Sequence, residues 1–329
     1  MDSAGGQADS HSGGPSISAD GRYVAFNFEA DVSVRDRLRG TTKRISVSSA
    51  EDQADDFSDS ASISADGRYV AFRSIASNLV RGDTNGAFDI FVRDRIRGVT
   101  RRTSVSSSET QTNLPSFQPS ISADGRYVAF ESEASDLVRG DTNGSADVFV
   151  RDRLRGVTRR ISVSSAEDQA AGFSPSISAD GRYVAFVSDA SDLVRGDTNG
   201  MTDVFVRDRL RGVTRRVSVR FGEGQANSYS YRPAISADGR YVAFESAASN
   251  LVHRRDTNRR EDVFVRDRLR GVTKRISVSS AGDQANHRSL NPSISADGRY
   301  VAFDSEVSNL VRGDTNGRVD VFVRGPLPV

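Results

Sequence analysis

The nine residues Ser122-Ala123-Asp124-Gly125-Arg126-Tyr127-Val128-Ala129-Phe130 hold a turn and a strand. Asp124-Gly125 supplies the pair that a tight hairpin turn needs, because both residue types tolerate φ > 0. The run Arg126 to Glu131 that follows is apolar on both alternating faces, Tyr127 and Ala129 on one and Val128 and Phe130 on the other. A strand of that kind is covered on both sides. The same string begins at Ser18, Ser64, Ser178, Ser236 and Ser295, so successive copies lie 46, 58, 56, 58 and 59 residues apart.

Working outward, one unit divides into four short apolar runs with turn signals between them and no helical period. They are Pro119 to Ser122, Arg126 to Glu131, Asp147 to Asp152 and Thr158 to Val163, taken as strands A, B, C and D. The A–B and C–D links are short and the B–C and D–A links long. An up-and-down sheet therefore puts its two long loops on the face opposite the two short turns. Sheets of this kind, covered on both sides and repeated at this length, predict an all-β, six-bladed β-propeller with four-stranded antiparallel blades. A parallel β-solenoid is the competitor, but its coils run shorter and do not repeat Asp-Gly hairpins. The units begin near 15, 61, 119, 175, 233 and 292, and 1–329 is read as a single propeller domain.

Bulk composition is compatible with this. Lys plus Arg number 45 against 44 Asp plus Glu, and apolar residues make up 36%. Neither disorder nor a nucleic-acid-type charge is indicated. Lys43 and Lys274 are the only lysines. The absence of cysteine removes disulfides and thiolate metal sites. No run of 18 apolar residues predicts a membrane span, and Met1 to Gly14 lacks the apolar core of a signal peptide.

The repeat resembles the TolB-type, WD-like propeller repeat, whose blades read roughly Pro-Ser-Phe-Ser-Pro-Asp-Gly-Lys-x-Ile-Ala-Phe and then Asp-Ile-Tyr-Val-x-Asp. The resemblance covers nearly the whole chain. It implies the propeller fold, a protein- or ligand-binding role, and an extracellular or periplasmic location. Two departures stand out: Ala replaces Pro before Asp-Gly in all six copies, and the B–C loop is longer.

Two irregularities carry expectations. Blade 1 passes from Phe26 to Asp31 through Asn27 to Ala30 and so lacks its B–C loop. Copy 6 ends at Val321-Phe322-Val323-Arg324 and continues Gly325-Pro326-Leu327-Pro328-Val329, with no strand D equivalent. Ser3 to Ala8 aligns with Ser280 to Ala285, which follows a strand D rather than forming one. Blade 6 is therefore predicted to be three-stranded with an open strand-C edge. The chain is expected to be a monomer, or a weak oligomer through that edge.

The most specific polar pattern is Asp-Thr-Asn-Gly-x-x-Asp in the B–C loop. It places Asp83, Asn85 and Asp89, Asp141, Asn143 and Asp147, Asp197, Asn199 and Asp203, and Asp314, Asn316 and Asp320 at equivalent positions. Blade 5 keeps Asp256, Asn258 and Asp262 but has Arg259 in place of Gly. Two carboxylates and an amide around a glycine turn are hard oxygen donors, so these residues form candidate Ca²⁺ sites. The same residues also suit a turn in which Asp and Asn accept local N–H bonds. Both readings stand at this point.

The loop also spells Arg-Gly-Asp at Arg81, Arg139, Arg195 and Arg312, where the turn by itself explains Gly-Asp. Arginines crowd the C–D hairpins, either as an anion-binding face or as ion-paired structure. No aromatic residues interleave them for base stacking, so nucleic acid is not an expected partner. Gln53, Gln111, Gln169, Gln225 and Gln284 recur in the D–A loop, as candidate sugar-hydroxyl ligands or as ties between blades. His11, His253 and His287 occupy no equivalent positions, although His11 and His287 both precede a strand A. No Gly-x-Ser-x-Gly, His-Glu-x-x-His or cysteine nucleophile is present. Near-identical repeats suit multivalent binding better than catalysis, which needs unlike groups converging. The expected function is a non-enzymatic scaffold binding a protein or glycan at the long-loop face. The alternative is a glycan hydrolase or lyase with carboxylates at a channel mouth.

Overall fold

The computed structural model describes residues 11–220, 222–253 and 256–327, and every regular element in them is a β-strand. The chain forms two compact units, 1–161 and 162–329. Three sheets lie in each.

In the first unit, blade 1 comprises β1 (Ser12–Ile17), β2 (Tyr23–Phe28), β3 (Asp31–Asp36) and β4 (Thr41–Arg44). Blade 2 comprises β5 (Ser58–Ile63), β6 (Tyr69–Ser74), β7 (Asp89–Asp94) and β8 (Val99–Arg102). Blade 3 comprises β9 (Ser116–Ile121), β10 (Tyr127–Ser132), β11 (Asp147–Asp152) and β12 (Val157–Arg160). In the second unit, blade 4 comprises β13 (Phe173–Ile177), β14 (Tyr183–Ser188), β15 (Asp203–Asp208) and β16 (Val213–Arg216). Blade 5 comprises β17 (Ser230–Ile235), β18 (Tyr241–Ser246), β19 (Asp262–Asp267) and β20 (Val272–Arg275). Blade 6 has β21 (Ser289–Ile294), β22 (Val301–Ser305) and β23 (Asp320–Arg324). Each sheet runs in chain order and is antiparallel throughout.

These sheets are the expected blades, including the three-stranded last one. Blade 1 joins β2 to β3 directly across Glu29 and Ala30, as its missing loop required. The expectation that residues 1 to 8 provide no fourth strand for blade 6 falls outside the described residues, as does Pro328.

Strand bounds differ from the sequence reading for identifiable reasons. Strand A starts earlier, at Ser116 in blade 3, because a bulge centred on Gln118 (φ 49°) interrupts the pairing with β10 and disguises the strand's first half. Strand D ends earlier, at Arg160. Beyond the equivalent Arg102 of blade 2, Thr103 donates its N–H to Ile90 O (2.6 Å), and Val105 N–H turns back to Thr103 O (2.9 Å).

The interior is built from strands B and C, whose two apolar faces are both covered in blades 2 to 5, whereas Val321 and Val323 of blade 6 are exposed. Phe130 and Phe149 face each other in the β10–β11 ladder with ring centroids 6.0 Å apart. Equivalent stacks join Phe72 to Phe91, Phe186 to Phe205, Phe244 to Phe264 and Phe303 to Phe322. In blade 1, Ser33 stands opposite Phe26 and no such pair forms.

Within each unit the blades are tied by a repeated set of contacts. Arg151 of β11 is buried; it donates to Ser106 O (2.9 Å) in the preceding D–A loop and pairs with Glu109. Arg207 does the same with Ser164 O and Glu167 in the second unit. The A–B turns are chained by Ala65 N–H to Ala123 O (3.0 Å) and Ala237 N–H to Ala296 O (3.0 Å). Alanine at this position keeps that N–H available, where proline would have none.

Candidate functional site

The short-turn side explains the motif first. Ser122 Oγ donates to Asp124 (2.6 Å) and accepts Tyr127 N–H (2.9 Å), while Asp124 also accepts Arg126 N–H (2.9 Å). Arg126 then forks onto Asp152 (2.9 and 2.7 Å), and the same carboxylate accepts Leu154 and Arg155 N–H in the C–D turn. That arginine fork holds the Asp152 carboxyl below its ordinary value even against the opposing effect of burial. Arg153 stacks over Tyr69 of blade 2, 4.9 Å from its centroid. Much of the expected arginine-rich face is therefore internal wiring, with Arg155 and Arg159 left exposed.

On the long-loop side, the structure brings each Asp-Thr-Asn-Gly loop together around a residue outside the motif. Arg102, the last residue of β8, lies 3.2 Å from Asp83 and 3.5 Å from Asp89. Arg160 meets Asp141 (3.0 Å) and Asp147 (3.5 Å), and Arg216 meets Asp197 (3.0 Å) and Asp203 (2.9 Å). Arg275 lies 3.3 Å from Asp262 and 4.0 Å from Asp256. Each guanidinium stands between the two carboxylates that could have held a calcium ion. Sequence reasoning missed these four arginines, although a signal existed: Thr-(Arg/Lys)-Arg recurs in strand D of every blade carrying both the loop and that strand.

The remaining motif residues complete a turn. Asn85 accepts Ala87 N–H (3.1 Å) and donates to Asp89 (3.2 Å) and Thr112 O (3.0 Å), fastening the B–C loop to the D–A loop. Asn143 and Asn199 repeat the contact to the final Asp. The backbone carbonyls of Gln53, Gln225 and Gln284 tie one blade to the next, accepting the amides of Asn78 (2.7 Å), Asn250 (2.9 Å) and Asn309 (2.8 Å), while the glutamine side chains bond within their own blade. Gln111 donates to Asp83 (3.1 Å), Gln53 to Asp31 (3.1 Å) and Gln225 to Gly196 O (2.8 Å). Gln284 donates to Asp256 and Asp262.

Burial sets the electrostatics here. Loss of solvent pushes Asp83 up to about 6 and Asp262 up to about 6, with the second carboxylate adding to the rise and the arginine opposing it. The carboxyl ¹³C shifts of these residues should titrate with midpoints near 6. A midpoint near 4, the ordinary value, would mean that they are solvated. A raised carboxyl binds its proton more tightly in the folded state, so its stabilising contribution is complete below 3.8 and is lost as pH rises through about 6. Asp152 and Asp208, held low, contribute in the opposite sense, above the ordinary value, and lose that contribution on acidification.

Blade 6 is different. Asn316 donates to Asp320 (3.1 Å), yet Asp314 and Asp320 form no ion pair among the described residues. In the other blades that arginine comes from strand D, and among the described residues no fourth strand joins β21, β22 and β23.

Several other candidates resolve plainly. The Arg-Gly-Asp tripeptides of blades 2 to 4 do not display their Asp, because it is held inward on arginine, while Arg81, Arg139 and Arg195 are exposed. His287 Nδ1 lies 3.1 Å from Glu306. Among the described residues, no group of three His, Cys, Asp or Glu side chains is placed to hold a metal ion, and no helix is long and apolar enough to cross a membrane.

No family model matches the sequence, and no curated protein does. Solved structures do. A protein assigned as TolB from Agrobacterium tumefaciens is 18% identical with a TM-score of 0.56, over 98% of this chain and 93% of that one. The acylaminoacyl peptidase of Pyrococcus horikoshii is 14% identical with a TM-score of 0.53, over 95% of this chain but 44% of the peptidase. The likeness is one of fold: the chain has the six blades of a β-propeller.

Proposed function

We propose that this propeller is a non-enzymatic binding scaffold that engages a protein or glycan through its long loops. One observation carries the reading. In blades 2 to 4 the motif Asp side chains are spent on an internal arginine, leaving Arg81, Arg139 and Arg195 exposed beside them, with Glu133, Asp136, Asp189 and Asp192 exposed in the same loops of blades 3 and 4. Repetition of the same exposed polar loop from blade to blade suits a partner with repeated polar groups. Carboxylates already engaged with arginine are poor candidates for the acid and base of a glycosidase, which counts against the enzymatic alternative.

Calcium is not part of this proposal for blades 2 to 5, since an incoming ion would have to displace a guanidinium from between the carboxylates. Millimolar Ca²⁺ should leave the melting temperature unchanged; a clear rise would restore the metal reading. Binding itself is tested on a glycan array that includes uronic-acid and sulfated chains, run beside a hydrolysis assay on any hits. Salt-sensitive retention without turnover, weakened by Arg139→Glu and Arg195→Glu, is the expected result. Turnover, or binding indifferent to these substitutions, would defeat the proposal.

A further inference from the structure

Every four-stranded blade turns from strand C to strand D through the same exposed tip. Its sequence is Asp-Arg-Leu-Arg-Gly, beginning at Asp36, Asp152, Asp208 and Asp267, and in blade 2 Ile96 takes the place of the leucine. The carboxylate at its start fixes the turn by accepting backbone N–H groups, as Asp152 does from Leu154 and Arg155 (both 3.2 Å). Gly156 closes it at φ 66°. The apolar side chain held between them faces solvent: Leu38, Ile96, Leu154, Leu210 and Leu269 are 76–78% exposed. Asp and Gly by themselves supply the turn geometry, so the fold does not call for an apolar residue at this position. In the one copy where the residue changes, it stays apolar.

Exposed cations flank each tip. Arg155 follows Leu154 directly and Arg159 lies on the strand that leaves the turn; Arg97 and Arg101 do the same beside Ile96, and the other three four-stranded blades keep a cation at both positions. Most carboxylates on this side are already engaged, Asp152 with Arg126 (2.7 Å) and Glu109 with Arg151. In blade 3 that leaves Asp124 as one exposed carboxylate against Arg153, Arg155 and Arg159, so the short-turn end is net positive. In the first unit these ends stand side by side. Ala19 N–H donates to Ala65 O (2.9 Å) and Ala65 N–H to Ala123 O (3.0 Å), while Arg95 and Arg153 lie 4.4 and 4.9 Å from the ring centroids of Tyr23 and Tyr69 in the preceding blade. Leu38, Ile96 and Leu154 therefore emerge on one side of that unit. Ala179 N–H to Ala237 O (3.0 Å) and Arg268 over Tyr183 (4.7 Å) bring Leu210 and Leu269 together in the second unit in the same way.

We infer that the short-turn side is a docking surface for an anionic lipid bilayer, with the apolar tips entering the membrane interface and the neighbouring arginines meeting the headgroup phosphates. The pattern of the surface selects this occupant. A protein interface gathers its apolar residues into a continuous core and keeps charge at the rim, whereas here exposed arginine separates each apolar tip from the next. Nucleic acid would engage the arginines and leave the leucines in water. Isolated apolar anchors flanked by cations match the layered polarity of an anionic bilayer, with phosphates at the surface and acyl chains beneath. One tip contributes little; several held rigidly on one surface act together.

The chain contains no tryptophan, so Leu154→Trp places a single fluorescent reporter at one tip. The probes are vesicles of mixed phosphatidylglycerol and phosphatidylcholine, and vesicles of phosphatidylcholine alone. With the anionic vesicles the reporter should shift to the blue and be quenched by lipids brominated along the acyl chain; with the neutral ones it should do neither. In co-sedimentation, Leu38→Ser, Ile96→Ser and Leu154→Ser combined should weaken binding to anionic vesicles about tenfold or more at unchanged charge. Arg97→Glu with Arg155→Glu should weaken it comparably, and Arg139→Glu, on a long loop, should not. All these side chains are exposed, and an unchanged melting temperature shows that each variant is folded. Absence of binding to anionic vesicles overturns the inference. Binding that survives the serine changes, or a bound reporter untouched by brominated lipids, overturns it too, since adsorption would then rest on charge alone. An equal loss with Arg139→Glu would place the contact on the long loops and overturn it as well.

Discussion

Replacing Arg216 with alanine should destabilise the protein by about 3–5 kcal/mol, because it leaves buried carboxylates without their counter-charge. The arginine lies 3.0 Å from Asp197 and 2.9 Å from Asp203, whose side chains are 5% and 0% exposed. Gln225 also accepts a hydrogen bond from the same nitrogen (3.1 Å), so the change loosens the joined B–C and D–A loops as well. Arg216→Lys keeps the charge but not the planar fork and should fall between the two. Arg216→Met combined with Asp197→Asn and Asp203→Asn removes all three charges and should recover much of the loss. Urea denaturation of the series is the measurement. A small effect of Arg216→Ala would mean that the carboxylates find water or a metal ion in its place.

Gly125→Ala should be nearly as damaging, for two separable reasons. The residue has φ +71°, where a side chain costs about 1–2 kcal/mol. A Cβ there would also lie 2.2 Å from Tyr69 Cδ2, on a ring held in place by Arg153, and crowding of that kind costs about 1–3 kcal/mol. Gly144 is the internal control: it has φ +63° with nothing within 4 Å of an added Cβ, so Gly144→Ala should show the conformational cost without the steric one. Adding Tyr69→Ala to Gly125→Ala should give a loss smaller than the sum of the two single changes, because it removes the clash. Additive losses would show that the A–B turn and its neighbour are not in contact in solution.

Legibility from sequence followed the range of the interactions. The Ser-Ala-Asp-Gly-Arg string encodes its own turn, since every partner of Ser122 and Asp124 within it lies five residues away or closer. The strand-A bulge at Gln118 was hidden because a non-glycine residue at positive φ leaves no compositional mark. The Asp-Thr-Asn-Gly loop was legible as a set of acidic groups, but its occupant was not. Arg160 lies nineteen residues after Asp141 in the chain, and a pairing over that distance has no local signature. The glutamines were legible in part: recurrence pointed to ties between blades, which their backbone carbonyls make, while the side-chain partners in the same blade emerged only from the fold.

The sequence by itself determined the blade, its count and its two exceptions, because hairpin turns and strand periodicity are local and were repeated in each copy. Tertiary structure decided what the polar residues are for. Charge satisfaction in a low-dielectric interior depends on which groups packing brings together, and here it placed an arginine where an ion had seemed due.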